Sequence, residues 1–394
     1  MNKISIFELT DRHNRTQKLM QKEGIDGLLI LQDIDLFYYA NSMQVLAVYI
    51  PENGNALTFY RRAKEKISDD CLLDTIQIKS FIEILDHIKN SGYNSPSNLG
   101  LEYDVLPYSI YLRVIKAFPG MKTSDASGII KSCRMLKSDY EIEMIKNAGS
   151  IINQVFNKIK SIFRYGMTEL DLAREIEYLF RKFSHLGPTR MRGFNQELFY
   201  GHVLSGKNTL KPTTFDMPLG GAGTHPSFST GAANKKIEKN EPVLIDYVCN
   251  YLGYHHDTTR TFVSGNLDKE LVKNYDFLKI VFLKIKEILK PGISCEEVYN
   301  QILDFVEESG FKTNFMGYLE NKVNFFGHGI GIEVDEFPVI APKSSIIIEK
   351  NMVIACEPKM FFPSLGALGI EDTFLITENG NEVLSGLDIE LMHI

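Results

Sequence analysis

Five residues of this 394-residue chain, Asp246, Asp257, His328, Glu357 and Glu371, are of types that ligate divalent cations, and most of them interrupt apolar or glycine-rich runs. Val243-Leu244-Ile245-Asp246 and His256-Asp257-Thr258-Thr259-Arg260-Thr261-Phe262 are β-prone runs on either side of Tyr251-Leu252-Gly253-Tyr254, which predicts a hairpin. With its centre at Tyr251-Leu252, Asp246 and Asp257 become cross-strand partners. Two like charges directly opposite destabilise a hairpin unless a cation or proton sits between them. Met352 to Glu357 and Gly369 to Ile376 are apolar strands that each carry a carboxylate and are joined by a turn through Ser364 to Gly369. A charge in such a strand is costly without compensation. Between the hairpins, Phe326-Gly327-His328-Gly329-Ile330-Gly331 sets one imidazole among three glycines, which permit close backbone approach. Four carboxylates and one imidazole suit Mn, Fe(II), Co or Zn, and two ions about 4 Å apart sharing a hydroxide are the expected hydrolytic arrangement.

The elements that must position these residues follow from periodicity. The chain is longer than one core usually supports, so two domains are expected. The first 125 or so residues alternate short apolar strands (Gly27 to Leu31, Ala56 to Tyr60, Asn98 to Glu102) with helical patterns at Arg12 to Gly24, Ile78 to Asn90 and Pro107 to Phe118. This is a small α/β domain, assigned to residues 1–130, and it carries no dense polar constellation. Residues 131–394 form the second domain. There Ser138-Asp139-Tyr140-Glu141 has the form of a capping box opening an amphipathic helix, and further helices are expected after Thr168, at Asp268 to Leu289 and at Ser294 to Ser309. Almost every candidate ligand lies on the strands between and after them.

Composition removes several function classes. A formal net charge of −7, without a dense Lys/Arg patch, disfavours nucleic acid as a partner. No run of about 18 apolar residues is present, so no membrane span is expected. The start of the chain lacks the apolar stretch of a signal peptide, which points to the cytoplasm. The five cysteines are odd in number and contain no Cys-x-x-Cys pair, arguing against both a disulfide framework and a thiolate zinc site.

The order Asp246, Asp257, His328, Glu357, Glu371, with Gly253-Tyr254, Asp257-Thr258-Thr259-Arg260-Thr261, Gly327-His328-Gly329-Ile330-Gly331, Glu357-Pro358 and Ile370-Glu371-Asp372, closely resembles the prolidase, aminopeptidase P and creatinase family. The resemblance covers nearly the whole chain. It implies a creatinase-type N-terminal α/β domain before an α+β "pita-bread" catalytic domain of curved antiparallel sheet flanked by helices, and a homodimer. By the same resemblance Asp246 and Asp257 chelate one metal ion, Asp257, His328 and Glu371 the other, and Glu357 and Glu371 are shared. Glu357 then also shuttles a proton from the bridging water.

Two departures bear on the substrate. The family's peptidases place a histidine near Ser229 or Thr230, where the nearest imidazole here is His225, the candidate to replace it. They place another seven residues after the metal histidine, where this chain has Asp335, a residue that accepts hydrogen bonds and repels a developing oxyanion. Arg192, in the polar stretch Arg190-Met191-Arg192-Gly193, is a candidate to grip a substrate carboxylate. The leading expectation is a dinuclear hydrolase of a small peptide or amide of the Xaa-Pro type. A creatinase-like or lyase-like enzyme acting on a non-peptide molecule, and a non-catalytic metal-binding homologue, are the alternatives.

Overall fold

The computed structural model describes residues 4–394. It has two compact units: one runs up to Arg134 and includes Arg192–Gln196, and the other comprises Met135–Met191 and Glu197–Ile394.

In the first unit six strands form one sheet in the order Thr75–Gln77, Leu57–Tyr60, Ala47–Pro51, Gly27–Ile30, Asn98–Leu101, Lys122–Asp125. Gly27–Ile30 and Ala47–Pro51 are buried at every position, which is why Gly-Leu-Leu-Ile reads as an unbroken apolar run. The helices Ile82–Asn90 and Tyr108–Ala117 lay Ile84, Ile88, Val114 and Ala117 against Leu29, Tyr49, Phe59 and Leu99. Burying each large apolar side chain contributes about 1.5–3 kcal/mol. The helix Ile6–Glu23 is capped by Ser5 and ends at Gly24 in the left-handed region. The strands Ala47–Pro51, Thr75–Gln77 and Lys122–Asp125 and the helices Asp33–Ala40 and Lys64–Asp70 are elements that the sequence pattern does not announce.

In the second unit, capping boxes at Ser138/Glu141, Thr168/Asp171 and Ser294/Glu297 open the helices Asp139–Phe156, Glu169–Lys182 and Cys295–Glu308. Each box satisfies backbone donors that a helix start leaves without partners. The strands Pro242–Tyr251 and Tyr254–Val263 pair as the expected hairpin inside a four-stranded sheet with Gly201–Ser205 and Met392–His393. A five-stranded antiparallel sheet runs in the order Glu336–Ile340, Gly327–Gly329, Val353–Cys356, Asp372–Ile376, Asn381–Val383. Ala148, Ile152 and Val155 pack on Val203, Ile245 and Phe262 of the first sheet. Leu278, Phe282 and Ile285 of the helix Lys269–Ile288 pack on Ile354, Phe374 and Ile376 of the second.

The hairpin register differs from the expected one. Leu252 (φ 50°) and Gly253 (φ 95°) are the turn residues, both with positive φ as a two-residue type I′ turn requires. The centre lies one residue later than Tyr251-Leu252, so Asp246 pairs with Thr259 and Asp257 with Val248. Asp246 and Asp257 are therefore diagonal neighbours rather than direct partners. A displacement of two positions preserves the face, so both carboxylates still leave the same side of the sheet.

Candidate metal centre

Two strand systems bring the ligands together. Cys356 pairs with Asp372, and beyond them the pairing resumes at Lys359 with Gly369 in the short hairpin Lys359–Phe362/Gly366–Gly369. Glu357 and Glu371 sit at the interruption, where Pro358 has no N–H to continue the ladder. There the Glu371 N–H donates to the Thr259 carbonyl (3.0 Å) and the Glu357 N–H to the Phe326 carbonyl (2.8 Å). These bonds fasten the corner to the strand carrying Asp257 and to the segment carrying His328. Gly329 is fixed by packing: a Cβ there would stand 2.1 Å from the Phe337 carbonyl oxygen.

Asp257, His328 and Glu371 are all buried and offer ligand atoms that lie within 4.8 Å of one another. His328 Nδ1 lies 2.9 Å from the Val334 carbonyl and 3.1 Å from the Gly329 carbonyl. Carbonyls only accept, so Nδ1 carries the proton and Nε2 presents its lone pair 4.0 Å from Glu357 Oε1. Thr259 Oγ1 donates to Glu371 Oε2 (2.6 Å) and orients that carboxylate. Asp257 Oδ1 is buried without a hydrogen-bond partner. An orphaned buried carboxylate oxygen beside a free imidazole nitrogen and a second carboxylate is a donor set that a divalent ion satisfies.

Two residues at this cluster, Lys359 and His202, are not marked by the sequence reading. Lys359 Nζ lies 2.5 Å from Glu357 Oε2, 3.0 Å from Glu371 Oε2 and 3.7 Å from Asp246 Oδ2, and its side chain is 1% exposed. A lysine two residues after a candidate ligand, in the otherwise apolar run Met360-Phe361-Phe362, is the signal that could have found it. His202 is the second such residue. It pairs across the sheet with Asp246, is buried, and has an Nδ1 with no partner.

The electrostatics follow from crowding. Burial, then the Glu371 charge, push Asp257 well above the ordinary carboxylate value. Asp246 is pushed up to about 6 and Glu357 to about 7, each mainly by burial, with Lys359 opposing the rise. Burial works against the charge of Lys359, but Glu357, Glu371 and Asp246 outweigh it and hold the ammonium well above its usual value. Burial and the Lys359 charge lower His202 to about 4, which keeps it neutral.

The three residues expected to touch substrate are placed otherwise. His225 is exposed and turned back on its own loop, with Nδ1 2.8 Å from Ser227 Oγ; the buried imidazole beside Asp246 is His202. Asp335 stands behind His328, its Oδ1 3.4 Å from His328 Nδ1. Arg192 makes a bidentate pair with Asp104 (2.7 and 2.9 Å) and a third bond to Asp35 (2.7 Å), all within the first unit. With its guanidinium held by two carboxylates, Arg192 has the geometry of a structural ion pair rather than of a substrate clamp.

The comparisons with known proteins agree with this fold. The profile of metallopeptidase family M24 matches residues 143–378, and that of the creatinase/prolidase N-terminal domain matches residues 12–136. An Xaa-Pro dipeptidase of Pyrococcus furiosus is 26% identical over 98% of this chain and 100% of its own length. The solved Xaa-Pro dipeptidase of Bacillus anthracis superposes with a TM-score of 0.83 at 26% identity, covering 98% of this chain and 100% of its own. The His350Ala aminopeptidase P of Escherichia coli has the same fold, with a TM-score of 0.74 at 19% identity over 99% of this chain and 97% of its own. The pita-bread architecture and the creatinase-type N-terminal domain implied by the resemblance are thus those of the structure.

Proposed function

This chain belongs to metallopeptidase family M24, and on that premise we propose that it hydrolyses the amide bond of a short peptide of the Xaa-Pro type, using a divalent ion held by Asp257, His328 and Glu371. The observation that carries the proposal is the convergence of these three ligands, with the unpartnered Asp257 Oδ1 among them, on a chain matched end to end by Xaa-Pro dipeptidases. The ion, Mn, Co, Fe(II) or Zn, would supply Lewis acidity, polarising the amide carbonyl and acidifying water.

The chain's own residues do the rest. Glu357 borders the ligand group and, with its pKa raised to about 7, can take a proton from the attacking water near neutral pH and return it to the leaving amine. Thr259 holds Glu371 in place, and the Val334 carbonyl holds the His328 tautomer. We also keep the cytoplasm and a homodimeric assembly as parts of the proposal. Five buried, unbridged cysteines support a reducing compartment.

The test is a substrate panel on purified protein reconstituted with each of the four metals. Xaa-Pro dipeptides should be cleaved and guanidino and cyclic amide compounds left intact. Turnover of a guanidino compound, with no dipeptide cleaved under any metal, would overturn the proposal.

A further inference from the structure

We propose that Lys359 takes the place of the second metal ion, so that this chain holds one divalent ion, on Asp257, His328 and Glu371, beside a built-in ammonium. The inference rests on the metal-dependent reading of the same cluster and concerns how its charge is balanced.

Two ions would need Asp246 and at least one of the shared carboxylates as ligands to the second. Those are the groups that face Lys359: Nζ is 2.5 Å from Glu357 Oε2, 3.0 Å from Glu371 Oε2 and 3.7 Å from Asp246 Oδ2. An ammonium has three donors and no acceptor: Nζ donates to Glu357 and Glu371, which sit at the strand interruption, and forms a longer ion pair with Asp246 on the strand Pro242–Tyr251. Its side chain is 1% exposed, and Lys359 is held at its backbone in the ladder with Gly369. The charge is therefore held inside the cluster. A second divalent ion on the same oxygens would stand a few ångströms from a positive charge among buried side chains, where repulsion is less screened than in bulk water.

The remaining ligands are arranged differently. Asp257 Oδ1 has no partner, and His328 Nε2 faces inward while its Nδ1 is bonded to backbone carbonyls. No lysine or arginine forms an ion pair with Asp257 among those found for the described residues, whereas Glu357, Glu371 and Asp246 all have Lys359. Lys359 pairs with three of the cluster's four carboxylates and leaves Asp257 without a paired cation. A single divalent ion on the Asp257 side supplies one.

The experiment counts ions rather than turnover. Purified full-length protein is saturated with Mn(II), desalted and assayed by elemental analysis, with calorimetric titration for the number of sites. The expected counts are one ion per chain in the wild type, two in Lys359→Ala, where a cavity replaces the ammonium, and none in His328→Ala. Two ions in the wild type would overturn the role of Lys359 while leaving the metal-dependent function intact, and so would a Lys359→Ala protein that still takes one. No ion in the wild type would overturn the metal-dependent function as well. If Lys359→Ala does not fold, the wild type and His328→Ala decide: counts of one and none support the lysine, and counts of two and one contradict it.

Discussion

Asp335 Oδ1 lies 3.4 Å from Nδ1 of His328, on the nitrogen that does not face Glu357. A carboxylate in that position raises the basicity of the inward nitrogen and fixes the ring, the usual task of an outer partner to a metal histidine. It contributes, with Glu357 and Glu371, to raising the His328 pKa against the lowering effect of burial. Asp335→Ala should weaken Mn(II) binding by about tenfold, the low end for such partners because the aspartate side chain is 42% exposed. Calorimetric titration checks this. An unchanged affinity with an altered KM for dipeptides would return Asp335 to the substrate.

Legibility in the sequence divided along physical lines. Asp246, Asp257, His328, Glu357 and Glu371 could be picked out because a charged or coordinating residue in an apolar strand is a local anomaly. The hairpin register was misjudged by one residue in its centre because Leu252, at φ 50°, is not a residue type that marks a positive-φ turn. Which nitrogen of His328 Asp335 meets is decided by the path of the chain after Gly331, which its spacing from His328 does not show. Lys359 and Arg192 show the other limit. A long cationic side chain is normally solvated, and only the tertiary fold reveals that both are buried among carboxylates, Asp246 beside Lys359 and Asp35 beside Arg192, that are distant in the chain. Strands such as Lys122–Asp125 carry no apolar pattern and form because a neighbouring strand, Asn98–Leu101, offers its edge.

Arg192 is expected to matter for stability rather than for substrate. Its side chain is 6% exposed, and it bridges Asp35, itself fully buried, to Asp104. Removing one partner of a buried pair costs 3–5 kcal/mol. Asp35 keeps Arg134 at 2.9 Å, so Arg192→Ala should lose about 3 kcal/mol. Chemical denaturation would measure the loss, and dipeptide KM should stay constant. A raised KM with unchanged stability would contradict this.

The strand that carries Asp257 is anchored by Arg260, whose Nη2 is 2.7 Å from Asp372 Oδ2 with both side chains at 0% exposure. Asp372 is further held by Ser385 Oγ and its N–H. Arg260→Ala leaves that buried carboxylate with only Ser385 and the His256 imidazole at 3.6 Å, without its guanidinium, and should destabilise the protein by about 3 kcal/mol. The same variant should weaken metal binding, because Arg260 also donates to the Thr259 and Glu371 carbonyls. A melting temperature within a degree of the wild type would show the pair to be dispensable.

Metal binding should carry a definite pH dependence. In metal-free protein Asp246 and Glu357 are raised to about 6 and about 7, above the values near ~4 of an unfolded chain. Between those limits the folded state binds more protons than the unfolded one, so these groups make metal-free stability fall as pH rises. Ions compete with the same protons and bind better as pH rises. The increase in melting temperature on saturation with Mn(II) should therefore be larger at pH 8 than at pH 5. An equal or smaller increase at pH 8 would mean that these carboxylates are not protonated in the metal-free cluster.

The capture of a divalent ion by Asp257, His328 and Glu371 is tested most directly by X-ray diffraction from crystals soaked in Mn(II) or Zn(II), recorded where the metal scatters anomalously. The expected result is an anomalous peak within coordination distance of Asp257 Oδ1, His328 Nε2 and a Glu371 carboxylate oxygen, with the Lys359 ammonium still between Glu357, Glu371 and Asp246. A map with no peak among those three residues, from crystals whose protein binds metal in solution, would contradict it.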